Sequence, residues 1–543
     1  MTRTALLMAF CIIWLLGASG LIGTASAAPL ELYVSPSGSI PDAFPSLTDA
    51  LQFARDQEAD LTVIYLEPGV YYSHFETFPI EIEKTVYLCG IRDTSKWYQI
   101  PQFSSNVETT FWVDDGAKLV LSNIYISPIS PYYGSRGIDA GTGSEVIAMG
   151  CVFYKTAGSY LGSCHYGGAS SYARFVMCDF SYNLAVRSSA GIRMVVDGPS
   201  RSPHLVVTDS TFRGNMSDFS PCLSWLDLNP RMPGEAVVAD CIFEGNSGGV
   251  GAWTPYIEGF GIIGASSTTG RSTAGYWAYT VRNCLFIKNP SHYGGAIGVW
   301  GGSSSVENTT LIQDRLEDTN EWWGYIGTGR SILWGEDNMT DWGAAYSCVQ
   351  GGHEGRGNID ENPLFTFLPG NTDEHLRYFL SSTAAGQGKD SPCIDAGGVS
   401  VEEAGMQFYT TRTDFAPDTG TVDMGFHYRI APRLVMDVEP VGGCYSVLLS
   451  CGASRYSDAE VDAYLAAVSP EGELYTFSDG AWQPGIRPLA EGLHLFRGYW
   501  HGPFYLTDIP ASAIGWRLYA ALCKPGTLDY ACEPAIYEVQ TPK

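Results

Sequence analysis

Positive charge is scarce in this 543-residue chain, where 31 lysines and arginines face 58 aspartates and glutamates for a formal net charge of -27. A field of that sign repels nucleic acid and anionic membrane, and it disfavours polyanions unless a local basic patch or Ca²⁺ intervenes. Charge of either sign is thin, at 16% of residues, which fits helix bundles poorly. Beyond the N-terminus no apolar run reaches the ~20 residues that a membrane span needs, so no span is expected in the mature chain. No nucleophile elbow, HExxH helix or phosphate-binding glycine loop is recognised, so the enzyme classes that announce themselves in sequence find no support. No CxxC pair or histidine spacing supports a metal site.

Glycine (62) and tyrosine (32) are abundant instead, a balance suited to turn-rich β structure with aromatic surfaces. Residues 1–27 combine Arg3, an apolar run from Ala5 to Leu16 and Ala25-Ser-Ala27. Together these predict a cleaved signal peptide and hence a secreted or cell-surface protein. Of the 14 cysteines, Cys11 falls in that leader, leaving thirteen. Cys444/Cys451 and Cys523/Cys532 are close pairs and are expected to form disulfides in an oxidising compartment.

The remaining pattern is a repeat. Phe180-Ser-Tyr-Asn183, Phe212-Arg-Gly-Asn215, Phe243-Glu-Gly-Asn246 and Phe286-Ile-Lys-Asn289 share one phrase, each preceded by a small residue: Cys178, Ser210, Cys241 or Cys284. Cys151-Val-Phe153 starts the series. A period near thirty with variable inserts is the mark of a solenoid. The phenylalanine is expected to fill the coil interior and the cysteine to form an inward ladder of small side chains. The asparagine is expected at the turn, where it tolerates left-handed backbone and bonds up and down the stack. Upstream, Leu47, Ala50, Leu51 and Ala54 recur at helical spacing and predict a helix that caps the open end of the solenoid. The sequons at Asn215, Asn308 and Asn338 are read as chance matches.

Tyr33-Val-Ser-Pro-Ser-Gly38, Pro68-Gly-Val-Tyr71 and Glu76-Thr-Phe-Pro79 with Val86-Tyr-Leu-Cys-Gly90 resemble the start of secreted bacterial right-handed parallel β-helix proteins, the pectate-lyase-like solenoids. Asn362-Pro-Leu-Phe365, Ser391-Pro-Cys-Ile-Asp-Ala-Gly397 and Thr421-Val-Asp-Met-Gly-Phe426 are similar to their closing coils, so the likeness covers residues 32–428. The Phe-x-x-Asn and Gly294-Gly-Ala-Ile297 phrases resemble the repeats of polymorphic outer-membrane adhesins. This likeness implies an all-β fold: a right-handed parallel β-helix over 28–430 behind the capping helix. Residues 431–543 change to short alternating strands such as Val461–Val468 and Trp516–Leu522, and predict a small antiparallel β-sandwich.

Chemistry is harder to place. Such β-helices often act on acidic polysaccharides as lyases or hydrolases, an argument from fold alone. Counting from the repeat asparagines nominates two adjacent columns on one sheet: Arg193, Trp225 and Tyr256 at ten residues, and Val195, Asp227 and Glu258 at twelve, with inward packing of Trp225 and Tyr256 the favoured alternative. Aromatic faces suit sugar rings and carboxylates bond hydroxyls. Trp225, Tyr256 and Trp300 are therefore glycan-binding candidates, and Arg193, Asp227 and Glu258 the candidates for any catalysis. The expected partner is a polysaccharide or cell-surface glycan. Asp360, Asp395, Asp414, Asp418 and Asp423 raise Ca²⁺ as a cofactor, although turn aspartates that bond backbone are the favoured reading. A non-catalytic glycan-binding protein leads, with a polysaccharide lyase or hydrolase second and a structural envelope protein third.

Overall fold

The computed structural model describes residues 28–540 except 93–99, 128–135, 159–163, 169–170, 186–188, 197–203, 218–219, 228–233, 249–262, 268–277, 290–295, 300–302, 313–332, 336–341, 369–375, 442–443 and 511–512. The leader, Tyr256, Glu258, Trp300 and Asn338 lie outside the described residues.

Residues 30–349 form a parallel β-solenoid whose walls are three long sheets. Among the described residues, sheet A has eleven strands, sheet B ten and sheet C nine, with a four-stranded sheet D at the corner after sheet B. Each coil passes through A, B and C in turn, so chain neighbours lie on different walls while residues one coil apart pair in register.

The repeat phrase builds the interior as expected. Phe153, Phe180, Phe212, Phe243 and Phe286 pair in register, and successive rings stack at 4.9, 4.5, 4.8 and 4.5 Å, all fully buried. Each stacked pair adds about 0.5–1.5 kcal/mol beyond its buried area. The asparagines form the predicted ladder: Asn183 Nδ2 donates to Asn215 Oδ1 at 2.9 Å, Asn215 to Asn246 at 2.8 Å and Asn246 to Asn289 at 3.0 Å. Each oxygen also accepts the backbone N–H of the asparagine one coil earlier. Cys151, Cys178, Cys241 and Cys284 are wholly buried, and their thiols donate to backbone carbonyls.

One detail differs. The left-handed residue is not the asparagine but the one before it: Tyr182, Gly214, Gly245 and Lys288 have φ of 56°, 60°, 63° and 56°. For Tyr182 and Lys288 that conformation costs roughly 1–2 kcal/mol. The asparagine ladder holds the next residue in place and offsets the strain. Asn215 and Asn308 are buried, which leaves their sequons no acceptor surface.

The helix Leu47–Asp56 caps the solenoid. Its four predicted apolar positions are its buried residues and join the continuous core. Ser46 caps Asp49 N–H, and the Glu76 carboxylate accepts the N–H groups of Leu47 and Thr48 at 2.8 and 2.9 Å.

Parallel pairing stops at Cys348–Val349 and the bridge to Ile359. The chain then makes two antiparallel pairs, Phe365–Thr366 with Phe379–Leu380 and Tyr409–Thr410 with Tyr428–Arg429. Leu376, Tyr378, Phe426 and Tyr428 fold back onto Ile242, Leu285 and Ile287, which face outward from sheet B. The expected closing phrases of 363–428 are thus a lid on the last coils, driven by apolar residues on the wall's outside.

From Arg433 onward the strands are antiparallel. Arg433–Val441, Cys444–Gly452 and Trp500–Pro510 form one sheet, and five strands around Ala459–Val468 the other, with a shared core of Tyr445, Val447, Leu449, Leu465 and Leu518. Pro440 lies on the outer strand of the first sheet, where a missing N–H is tolerated. The middle strand is buried on both faces. Tyr445, Val447 and Leu449 point into the sandwich, while Leu448 joins Val441 and Trp500 against Tyr87, Val120, Ile147 and Met149 of sheet A.

A buried ionic cluster pins this junction. Lys118 Nζ meets Glu439 at 2.7 Å and Glu145 at 3.2 Å, and Tyr87 donates to Glu439 at 3.0 Å. Burial opposes the lysine's charge, yet Asp437, Glu439 and Glu145 outweigh it and hold its pKa above the ordinary value.

The expected disulfides are corrected. Cys444 and Cys451 sit on one strand, and seven residues of extended chain separate them by roughly 23 Å, far beyond a disulfide's reach. Cys532 packs beside Cys451 rather than Cys523, which bridges to Tyr530. All four thiols are free, while in a different cluster Cys348 donates to the Glu361 carbonyl at 3.2 Å beside Cys393.

Candidate functional site

The outward face of sheet C carries the most ligand-like column. On strand Thr109–Val113, Phe111 and Val113 are buried and Trp112 between them points out, 42% exposed. Register aligns Glu81, Trp112, Asp139, Tyr166, Arg193 and Ser224 on neighbouring strands, with Asp139 buried on a strand that has no exposed residue. Neighbouring strands lie ~4.8 Å apart, so an indole, a carboxylate, a phenol and a guanidinium follow one another along one face. Trp112 Nε1 donates to Asp114 at 2.9 Å, which steadies the indole. Asp139 pairs with Arg136, which also reaches Glu108 at 3.4 Å. Burial raises the Asp139 pKa, with the Arg136 charge opposing.

A second aromatic ridge runs along sheet B. Tyr125, Tyr154 and Tyr182 follow at centroid distances of 6.0 and 5.9 Å. Lys155 Nζ lies 5.0 Å over the Tyr154 ring, and Tyr182 is 53% exposed.

Of the residues nominated by counting, Arg193 stands in the sheet C column, half-buried. Its partner is Ser224, not Trp225; Trp225 aligns with Met194 and Asp227 with Val196. The cause is one residue of loop length, because Arg193 follows Asn183 by ten positions whereas Ser224 follows Asn215 by nine. With a side-chain period of two, that slip moves a residue to the opposite face. Met194 is fully buried, so the register position of Trp225 belongs to the inward column. The expected pairing of Arg193, Trp225 and Tyr256 is therefore not formed. Trp112, Asp139 and Tyr166 were missed, although a signal exists: they and Arg193 are spaced by 27 residues each.

No protein-family model matches this chain, and no curated protein matches it.

Four of the aspartates weighed for Ca²⁺, Asp360, Asp414, Asp418 and Asp423, accept backbone N–H groups. Asp360 accepts Gly351 N–H, Asp414 accepts Ala416 N–H, and Asp423 accepts Asp395 N–H at 2.7 Å. Asp418, Asp423 and His427 do bring one ligand-type atom each within 4.8 Å of one another, all buried. All three are already hydrogen-bonded within the protein. His427 Nδ1 faces the Gly425 carbonyl at 2.9 Å and Nε2 faces Asp418 at 3.1 Å, while Asp418 also accepts Thr419 and Asp423 N–H. A ring between two acceptors donates from both nitrogens, which is the imidazolium form. Burial works against that charge, but the Asp418 bond, with Asp423 and Asp240 nearby, raises the His427 pKa overall. The cluster is a charged internal brace.

Proposed function

We propose that this protein is a secreted glycan-binding β-solenoid, with the sheet C column as its binding face. The observation that carries the reading is the register of Trp112, Asp139, Tyr166 and Arg193 on one outward column. Flat aromatic faces cover the apolar side of a sugar ring, and polar groups along the same column bond its hydroxyls. The repeat of the ladder suits an extended chain of sugars better than a single one. The leader sequence and the resemblance to secreted bacterial β-helix proteins support an extracellular polysaccharide or cell-surface glycan as partner.

Affinity electrophoresis through gels containing neutral polysaccharides tests this. The wild-type chain is expected to be retarded by at least one polysaccharide, and Trp112→Ala and Tyr166→Ala to lose most of that retardation while keeping the wild-type circular dichroism. Equal retardation of wild type and both variants overturns the site.

A glycoside hydrolase is the second reading, and one observation favours it. Glu81 and Asp139 flank Trp112 two strands apart, and a carboxylate on either side of a sugar-binding face is the arrangement glycoside hydrolases use. The raised pKa of Asp139 suits a general acid. Release of reducing ends that Asp139→Asn abolishes would select this reading over simple binding.

A further inference from the structure

Where the lid meets the last coil, two thiols are buried side by side. Cys348 opens the strand Cys348–Val349, the last of sheet B among the described residues, and its backbone N–H donates to the Thr309 carbonyl at 2.9 Å. Cys393 lies in the lid. Its N–H donates to Ser391 Oγ at 3.1 Å, and its carbonyl accepts Met424 N–H at 2.9 Å. The chain after Cys393 runs against the same coil: Gly398 N–H donates to Asn308 Oδ1 at 3.1 Å, and a Cβ on Gly398 would meet the Tyr346 ring at 2.5 Å. Cys348 and Cys393 thus come together in a cluster with Leu380 and Met424, where Cys348 is 2% exposed and Cys393 not at all.

This pair differs from the cysteines of the ladder. Cys151 and Cys178, like Cys241 and Cys284, occupy adjacent coils in register with parallel side chains. Their Cβ atoms therefore keep the ~4.8 Å strand spacing, beyond the roughly 3.5–4.5 Å that a disulfide needs. Burial pushes the Cys151 and Cys241 thiols up, and the neighbouring thiol adds to that. At Cys348 the balance is reversed: the Cys393 thiol is the stronger influence and holds the Cys348 pKa below its ordinary value against burial. Cys348 in turn pushes Cys393 up, with burial adding to the rise. One member of the pair is thus the readier thiolate, and the thiolate is the nucleophile of disulfide chemistry.

We propose that Cys348 and Cys393 form a disulfide that latches the lid to the last coil. The oxidant is a disulfide of the glutathione class, as an oxidising compartment supplies. The Cys348 thiolate attacks one sulfur of the oxidant, forming a mixed disulfide and releasing one oxidant thiolate. The Cys393 thiol then loses its proton and attacks the Cys348 sulfur, which releases the second. Two protein thiols are oxidised, one disulfide is reduced to two thiols, and the two protons end on those thiols. Both cysteines are buried, so exchange takes place while the lid is open, a local opening that an edge element undergoes without global unfolding. Once closed, the bond removes freedom from the unfolded chain between the two cysteines. It holds the lid over Ile242, Leu285 and Ile287 and makes no use of the sheet C column.

Peptide mapping of the full mature chain tests the latch. The folded, reduced protein is incubated with excess oxidised glutathione, unfolded at acid pH with N-ethylmaleimide, and digested without reduction. A linked peptide joining Cys348 to Cys393 is expected, lighter by two hydrogens than the two thiol peptides together. Cys151, Cys178, Cys241 and Cys284 are expected to be recovered alkylated. The oxidised chain is expected to melt at a higher temperature than the reduced chain, and Cys348→Ser and Cys393→Ser each to lose that gain. Separate recovery of alkylated Cys348 and Cys393, a lasting glutathione adduct on either, or linkage of either to another cysteine overturns the proposal. The mapping uses the wild-type chain, so it decides the matter even where a variant fails to fold.

Discussion

Sheets A and C are walls of one solenoid with the same kind of interior, yet their outsides have opposite characters. Outside sheet A, Leu61, Val63, Tyr87, Val120, Ile147 and Met149 form an apolar field that the C-terminal sandwich covers. Outside sheet C, the column of Glu81, Trp112, Asp139, Tyr166 and Arg193 mixes charge with aromatic rings. The inward residue of each strand answers to packing alone, whereas the outward residue answers to whatever meets that wall. A protein partner within the same chain asks for contiguous apolar area; a sugar asks for separated rings and polar groups. The interior therefore specifies the solenoid and the exteriors divide its uses.

The largest expected effect erases the comparison by damaging both walls at once. Phe212→Ala removes the middle of the phenylalanine stack and is expected to cost about 3–5 kcal/mol, measured by urea unfolding, with any glycan retardation lost together with the sandwich contact. Comparable in size but confined to sheet A is Lys118→Met, which strands Glu145, Asp437 and Glu439 at a buried junction. It is expected to cost about 3–5 kcal/mol, and hydrogen exchange should rise in the strands Leu61–Leu66 and Cys444–Gly452 while the sheet C strands keep their protection.

A smaller effect comes from the brace beneath the lid. The raised pKa of His427 means that its stabilisation is complete below its unfolded value of about 6.5 and fades as pH rises through the folded value. Burial lifts Asp423 to about 6, with Asp418 adding to the lift, so its ionisation in the fold also costs stability as pH climbs from about 4. Both signs agree: the melting temperature should fall between about pH 5 and pH 8, and His427→Gln should flatten the upper part of that fall. A melting temperature that rises over this range breaks the account. Least of all, Trp112→Ala should shift stability by no more than about 0.5 kcal/mol, as for an exposed side chain, in contrast to its effect on polysaccharide retardation. A larger loss would make Trp112 a packing residue and remove the distinction between the two walls.

The interior was legible because its signals are local and repeated. Phe-x-x-Asn with a preceding cysteine recurs, and equivalent residues in a stack must satisfy equivalent contacts, so the ladder at Asn183, Asn215, Asn246 and Asn289 followed directly. The capping helix was equally plain, since four apolar residues at helical spacing bury one face. The binding column was half legible. Arg193 was nominated, but a count from the asparagine lost register by one residue before Ser224, and the slip exchanged outward for inward.

By itself, the amino-acid sequence determined the all-β class, the stacked interior, the helix plug and the antiparallel sandwich beyond residue 430, because each depends on periodicity within one segment. The tertiary structure alone decided that the sandwich lies against sheet A, that residues 363–430 fold back as a lid, and that Lys118 meets Glu439. Those features join residues more than a hundred positions apart, and no local period encodes such a meeting. Coil register and loop length place them, and one residue more or less sends a side chain to the other face.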